Sequence, residues 1–522
     1  MNTPSLLPPV ESPEVADTSP PPRAAQLTSA RLLAGNTLWS LVGVCSPALV
    51  AVFCLPVLTR LLGTDRLGML TLAWVVVGYF GLFDFGLGRA LTKLVAEKLG
   101  QGEAAKIPPL VWTSVVLMGG IGLIGTVVMF ALSPWIVHSI VKVPAGLRDE
   151  SLTAFYWLSI SIPIVVITAG LRGVLEALQK FRLATAIRVP LGIFTYVGPV
   201  LILPFSRSLV PIVAVLVAAR AAALIAHFWA CFRVLPELRR SWQFDRASAG
   251  PLFRFGTWMT VSNIVGPMMV TFDRFVIGAL VSVTAVAYYA VPSEVVSKLM
   301  LFPAALTAVL FPAFSTAHAG QRERVSFLFE SSVKLICVAM FPIILAVVVF
   351  APEGLRLWLG NDFAQNSAWV VRCLAVAIFV NSVGQVPFAH LQAAGRPDIT
   401  AKLHLFELPL YIAGLLVLVR MAGIRGAALA WLLRTTVDSV LMFAFSQRVA
   451  PENSAVVAKL GLLAGGGVLF LALGAVEMAL TLKVLAMVVM TAGSALLLWR
   501  WALSPREKTL LSSLMRGTNA AG

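Results

Sequence analysis

Ten ionisable side chains interrupt stretches that are otherwise apolar: the basic Arg220, Arg274, Lys298, Arg372 and Arg434, and the acidic Asp84, Asp273, Glu294, Glu407 and Asp438. A charge placed in hydrocarbon costs at least about 2.5–3.5 kcal/mol, so each needs a cavity, a partner or a role. Arg220 (in VAARAAALIAHF) and Arg434 (in WLLRTTVDSV) carry planar guanidiniums, the geometry that grips an oxyanion through two parallel hydrogen bonds. The structural alternative pairs Arg434 with Asp438 one turn on and lets Arg220 snorkel or bond a carbonyl. Asp273 and Arg274 (in TFDRFVIG) are adjacent and point to different helix faces. There the aspartate can exchange a proton or the arginine hold a phosphate, or each can join an interhelical salt bridge. Glu294 and Lys298 have the four-residue spacing that lets them neutralise one another, whereas Glu407 (in HLFELPLY) has no opposite charge three or four residues away.

No covalent chemistry accompanies these charges. Walker A, GxSxG and HExxH sequences are absent, and His138, His227, His318, His390 and His404 lack ligand spacing along the chain, so neither catalytic residues nor a metal site is expected. Cys45, Cys54, Cys231, Cys337 and Cys373 stand singly in apolar runs and read as small core residues.

The elements that carry the charges follow from composition. The chain has 522 residues, 59% hydrophobic and 12% charged, with a mean hydropathy of +0.89. Too few polar side chains are available to cover a soluble domain of that size. Runs such as 111–132 and 335–350 lack charge and approach the ~20 residues of a spanning helix, and they show none of the alternation of barrel strands. An all-α integral membrane protein is expected. The net charge of +16 is scattered through short loops, so it orients helices and does not bind nucleic acid.

Fourteen spans are expected, at about 36–60, 67–88, 109–132, 151–171, 183–205, 208–232, 255–280, 285–313, 331–350, 367–391, 401–420, 424–446, 456–476 and 482–501. They follow a Pro-, Ser- and Glu-rich tail, 1–34, read as disordered and lacking the pattern of a signal peptide. With both termini in the cytoplasm, about 26 Lys and Arg fall in inner segments and about 9 in outer loops, the expected bias. Asp84 then lies near the inner end of the second span, Arg89 and Lys93 form a basic face just beyond it, and Arg172 and Arg188 flank the next inner loop. These four cations suit an inner mouth where an anion is admitted, or simply set topology and touch lipid headgroups.

A repeat divides the chain. GQGE at Gly100–Glu103 is echoed by GQRE at Gly320–Glu323, and LEALQKF from Leu175 by LQAAGRP from Leu391, at offsets of 220 and 216 residues. Two similarly oriented halves are expected, a six-helix bundle over 35–232 and another over 255–447, joined by a basic cytoplasmic linker at 233–254. Two extra helices, within 456–502, and a cytoplasmic tail, 503–522, follow.

LTRLLGTDRLGML (Leu58–Leu70), FDFGLGRALTKLVAEKLGQGE (Phe83–Glu103), HLQAAGRPDITAKLHLFELPLYIAGLLVLVRMAGIRGAALAWLLR (His390–Arg434) and LSPREKTLL (Leu503–Leu511) resemble the oligosaccharide and polysaccharide flippase family, which moves O-antigen-type repeat units. The resemblance implies the fold of the multidrug, oligosaccharidyl-lipid and polysaccharide exporter superfamily: two bundles around a V-shaped cavity, two added helices, and residence in the bacterial inner membrane. It implies a cargo linked to undecaprenyl pyrophosphate, with surrounding lipid and the polysaccharide polymerase and chain-length machinery as partners, and no cofactor beyond a coupling H+ or Na+. On this reading Arg220, Arg434, Arg274, Arg372 and Lys298 are candidates for the pyrophosphate, Arg89, Lys93, Arg172 and Arg188 for the inner mouth, and Asp84, Asp273 and Glu407 for ion coupling. A multidrug extruder of the same fold would want an acidic cavity, and a membrane glycosyltransferase or polymerase a sizeable outer loop; the balanced charges and short loops fit neither.

Overall fold

In the computed structural model, residues 30–80, 86–240, 242–317, 322–449, 465–476 and 478–497 are described. They form helices and connecting turns, without a strand among them. In chain order the helices are α1 (Ala30–Leu62), α2 (Thr64–Phe80), α3 (Leu87–Gly100), α4 (Ile107–Trp135), α5 (Arg148–Ala177), α6 (Phe181–Ile202) and α7 (Leu209–Val234). After a linker come α8 (Arg246–Leu280), α9 (Val283–Val296), α10 (Leu301–Ala317), α11 (Arg322–Val349), the short α12 (Ala351–Leu359), α13 (Asn361–Ala393) and α14 (Pro397–Val449). The last are α15 (Gly465–Gly474) and α16 (Leu480–Leu497). Eight helices among the described residues are long and apolar enough to cross a membrane.

Before the linker, α5 is the hub, packed on α2, α3, α4 and α7; after it, α13 packs on α9, α10, α11, α12 and α14. Burial explains the difference in rank. In the most apolar windows 56% of α5 and 72% of α13 is buried, against 11% of α4, whose Leu123, Ile124 and Val127 point outward. Such an apolar exterior suits hydrocarbon as the solvent. The sets before and after the linker meet through α2 on α8 and α9, α3 on α8, and α1 on α9 and α12.

At the end of the molecule carrying the α1–α2 corner, here the far end, polar contacts knit these sets together. Lys142 donates its backbone N–H to the Gly278 carbonyl at 2.9 Å and its ammonium to the Leu280 carbonyl at 2.6 Å. The Thr284 hydroxyl donates to Asp65, and Arg66 forks onto Glu150 with both bonds at 3.1 Å. Glu150 also accepts from the Leu209 N–H. Only glycine fits at position 68, because a Cβ there would lie 1.9 Å from the Val283 carbonyl oxygen, which lets α2 and α9 touch backbone to backbone.

Several expected boundaries move. The segment 67–88 is not one helix: α2 is described as far as Phe80, and α3 starts after Gly86, whose φ of 70° lies outside helical space. The segment 285–313 is split by a 3₁₀ turn at Ser297–Met300. The break expected between 401–420 and 424–446 does fall where expected, at Gly423 (φ 57°, ψ −134°), which joins the two as arms of α14. The linker is shorter than 233–254 because α8 begins at Arg246, where the Asp245 side chain accepts from the Ala247 N–H at 3.0 Å. It is strapped to α4 by Trp112, which donates to the Leu238 carbonyl at 3.0 Å, and by Thr113, which accepts from the Asp245 N–H at 2.8 Å. Cys231 and Cys337 are buried as expected, but Cys45 is exposed on α1, where lipid accepts a thiol as readily as a core does. Most of the N-terminal tail (residues 1–29), Asp84, the start of the thirteenth span and the C-terminal tail lie outside the described residues.

Candidate functional site

A cavity of about 480 Å³ opens where the two sets of helices meet. Trp74 and Tyr79 of α2 and Thr195 and Tyr196 of α6 line one side. Thr271, Asp273 and Arg274 of α8, Ser293 and Glu294 of α9, and Trp431 of α14 line the other. Pro292 and the 3₁₀ turn that follows bring Glu294, Ser297 and Lys298 to the place where α9 hands over to α10.

Adjacent residues on α8 take divergent paths. Asp273, 2% exposed, accepts a hydrogen bond from the Tyr289 hydroxyl of α9. Arg274 reaches Glu294 at 3.5 Å. Glu294 also accepts from Lys298 at 2.8 Å and from the Tyr196 hydroxyl at 3.2 Å, so this carboxylate ties α6 to α8 and α9 across the cavity. The Thr271 hydroxyl donates to the Tyr79 oxygen at 2.9 Å, a second bridge between the two sides. The Trp74 and Tyr196 rings meet edge to face at 5.2 Å.

Two carboxylates, Asp273 and Glu294, face two cations, Arg274 and Lys298, so the cavity is charge-balanced. What remains for a ligand is hydroxyl groups and aromatic faces. That lining suits a polar, uncharged molecule with apolar C–H faces, and the volume lies within the ~300–1,000 Å³ of small-molecule sites.

Of the residues singled out in the sequence, Asp273 and Arg274 line the cavity, and Lys298 joins it through Glu294. Arg434 borders it, donating to the Met269 carbonyl of α8 at 3.4 Å and lying 5.9 Å from the Tyr411 ring centre, and it does not take Asp438 as its partner. Arg220 turns back along α7 to the Leu216 carbonyl at 2.9 Å. The two guanidiniums therefore address different carbonyls, and neither lines the cavity. Arg372 donates to the Val348 carbonyl of α11 at 3.1 Å.

Arg89 and Lys93 are exposed on α3, Lys93 lying 3.4 Å from Glu97; Arg172 is exposed and 3.5 Å from Glu176, and Arg188 is half-buried on α6. Nothing in the spacing marks the tyrosines, yet of only six in the chain Tyr79 and Tyr196 line the cavity, Tyr289 bonds its Asp273 and Tyr411 faces Arg434. Their scarcity was the available signal.

A second cluster, invisible as a linear motif, forms across the bend of α14. Glu407 and His404, three residues apart on one arm, meet Asp438 of the other, with a ligand atom from each within 4.8 Å of the others. The histidines lack ligand spacing along the chain, but folding the two arms together supplies it for His404.

Paired helical sets about a polar cavity, sealed together at one end and apolar outside, define a membrane transporter of the MATE and MurJ fold. The structure superposes on the lipid II flippase MurJ in an inward closed conformation with a TM-score of 0.70, at 11% identity, covering 89% of this chain and 99% of that one. It superposes on an inward-facing multidrug resistance MATE transporter of the MOP superfamily with a TM-score of 0.66, at 14% identity, covering 81% and 98%. Residues 33–318 match the family described as polysaccharide biosynthesis protein. A putative O-antigen transporter of Shigella flexneri is 30% identical over 78% of this chain and 96% of its own. The chain belongs to the polysaccharide biosynthesis protein family, as a multi-pass membrane flippase and not an enzyme.

Proposed function

We propose that the protein carries a polyprenyl-pyrophosphate-linked oligosaccharide, with undecaprenol as the lipid, across the bacterial inner membrane for surface polysaccharide assembly. The observation that carries this reading is the charge-balanced, hydroxyl- and aromatic-lined cavity between the two sets of helices. The sugar occupies that cavity while the polyprenyl chain stays in lipid, which avoids dragging hydroxyls through hydrocarbon. Fourteen crossings, two six-helix bundles and two added helices, with both termini cytoplasmic, accommodate the exchange by alternating access. The far end is then the outer face, and its polar seam keeps the cavity shut to the outside. A drug extruder for organic cations finds less support, because Arg274 and Lys298 cancel the two cavity carboxylates.

The test is depletion in cells that make such a polysaccharide. Lipid-linked oligosaccharide accumulates on the cytoplasmic face and is cleared by the wild-type protein but not by Tyr196→Ala/Arg274→Ala at equal membrane abundance. Absence of accumulation, together with a fall in cationic-dye efflux, would favour the drug extruder instead.

A further inference from the structure

The linker between α7 and α8 has no task in the scheme above, yet it is held rigidly and presents a distinct surface. Trp112 of α4 is its hub: besides bonding the Leu238 carbonyl, the indole meets the Trp242 ring edge to face at 5.8 Å and lies 6.3 Å from both Phe228 and Phe232 of α7. A 3₁₀ turn at Pro236–Arg239 and the bond from the Asp245 N–H to Thr113 fix the chain on either side. This frame turns apolar rings outward. Trp242 is 78% exposed, and Trp229 and Phe244 are about half exposed. With them stand four exposed arginines, Arg233, Arg239, Arg240 and Arg246. The Arg233 guanidinium lies 5.2 Å from the Trp229 ring centre, and that of Arg239 lies 5.7 Å from the Phe232 ring centre.

Charge and depth together say what such a surface fits. Between Arg233 and Arg246 those four cations face two carboxylates, Glu237 and Asp245, and Asp245 is already engaged as the cap of α8. An aromatic face attracts a guanidinium but accepts none of its five N–H donors in the plane, so the rings position Arg233 and Arg239 while leaving those donors for an oxyanion. Trp112 stands five residues inside the start of α4 and Trp229 five residues before the end of α7, so at 1.5 Å per residue both lie about 7–8 Å in from the helix ends. The headgroup layer on one side of a bilayer is about 5–8 Å thick. With the helix ends at the water boundary, the rings stand at the base of that layer, where indoles gather, and the arginines at the level of the phosphates. The patch is on the perimeter, because α4 beneath it is the least buried of the long apolar helices. A soluble protein docking from the cytosol would find these rings below the level of the helix ends.

We propose that the linker is a docking surface for the anionic phospholipid headgroups of the cytoplasmic leaflet. Arg233, Arg239, Arg240 and Arg246 take the phosphates, and Trp242 and Phe244 sit in the layer beneath them. The surface anchors the first set of helices to the leaflet at the point where the chain passes to α8, and leaves the second set free to move against it. It rests on the orientation given under the proposed function and is independent of the cargo.

The experiment uses the full-length protein, without cargo, in nanodiscs of phosphatidylcholine alone or with phosphatidylglycerol added; the two leaflets are alike, so the result does not depend on which face is cytoplasmic. Amide hydrogen exchange of the linker is followed by mass spectrometry, with exchange in the buried hub α5 as the control for folding. In the wild type the anionic discs slow exchange in the linker several-fold relative to neutral discs. A guanidinium near an anionic surface is worth about fivefold in binding. Arg239→Gln/Arg240→Gln therefore removes most of the slowing, whereas Lys180→Gln/Lys402→Gln, which takes the same charge from exposed positions elsewhere at that end, keeps it. Trp242→Ala/Phe244→Ala loses the slowing with every arginine in place. Glycerophosphoglycerol, the soluble headgroup, added to neutral discs leaves exchange unchanged. Equal exchange in the two kinds of disc for the wild type, slowing that survives Arg239→Gln/Arg240→Gln, slowing lost equally in the lysine pair, or slowing produced by the soluble headgroup alone overturns the proposal.

Discussion

Glu294 offers the sharpest quantitative handle on the cavity. Its carboxylate holds Lys298 at 2.8 Å and Arg274 at 3.5 Å, with side-chain exposures of 21% for Glu294 and 13% for Arg274. At an effective dielectric of about 20, the Arg274 contact alone has a Coulomb energy of about 4–5 kcal/mol, an upper figure before desolvation and the partial exposure are taken off. Glu294→Gln leaves Arg274 and Lys298 facing each other with no anion between them, and is expected to cost about 2–4 kcal/mol of stability. Arg274→Gln alone leaves Glu294 paired with Lys298 and is expected to cost less. In Glu294→Gln/Arg274→Gln the excess charge falls back, and a coupling of about 1–3 kcal/mol should appear in the double-mutant cycle. The assay is reversible unfolding of the purified protein in lipid nanodiscs, all four forms side by side. Additive effects, or a Glu294→Gln form as stable as the wild type, would refute the ion-pair account of the cavity.

Other contacts give independent tests. Gly68→Ala places a methyl group against the Val283 carbonyl and should cost about 1–3 kcal/mol through overpacking, while raising the labelling of a cysteine placed at Thr284 by an impermeant maleimide; unchanged labelling and stability would show that α2 and α9 do not meet there. Glu150→Ala should destabilise more than Arg66→Ala, because it strands the Leu209 N–H as well as the guanidinium, with about 1–3 kcal/mol expected for the arginine change by chemical unfolding. In the loop after α3, hydrogen bonds from Lys106 and Lys98 hold the Glu103 carboxyl down at about 2, below its ordinary 4.5. Its contribution to stability is therefore full above pH 4.5 and is lost as the pH falls from there through about 2, so wild type and Glu103→Gln should differ near neutrality and converge in acid when their unfolding midpoints are compared.

Much of the fold was legible because hydrophobic run length reports directly on a membrane span, and charge asymmetry suggests how the spans are ordered. The errors fall where backbone conformation overrides apolarity. The run 67–88 is apolar apart from Asp84, yet Gly86 leaves helical space; 285–313 is apolar apart from Glu294 and Lys298, yet it tightens to a 3₁₀ turn at Ser297–Met300. The site was legible only in part. Buried charge is conspicuous in an apolar run, so Asp273 and Arg274 were found. Glu294 was conspicuous too, paired with Lys298, but its links to Arg274 and Tyr196 and the bond from Tyr289 to Asp273 were not legible, because a contact between helices leaves no spacing in the chain. Arg220 and Arg434, in the sixth and twelfth of the expected spans, stand at equivalent places in the two halves and so suggest a shared grip, but equivalent positions need not face the same space: one guanidinium turns along α7 and the other onto α8. His404 joins Glu407 and Asp438 for the same reason, brought near by the Gly423 bend and not by sequence.

The central claim is that the cavity passes a lipid-linked glycan from one leaflet to the other. The most direct measurement places a polyprenyl-pyrophosphate-linked oligosaccharide in vesicles and asks what fraction an added, membrane-impermeant glycosidase can reach. Vesicles without protein expose only the outer-leaflet fraction. Those containing the wild-type protein should expose the remainder with time, and those containing Tyr196→Ala/Arg274→Ala should behave like empty vesicles. Equal exposure with and without the wild-type protein, under an imposed proton or sodium gradient as well as without one, would contradict the account.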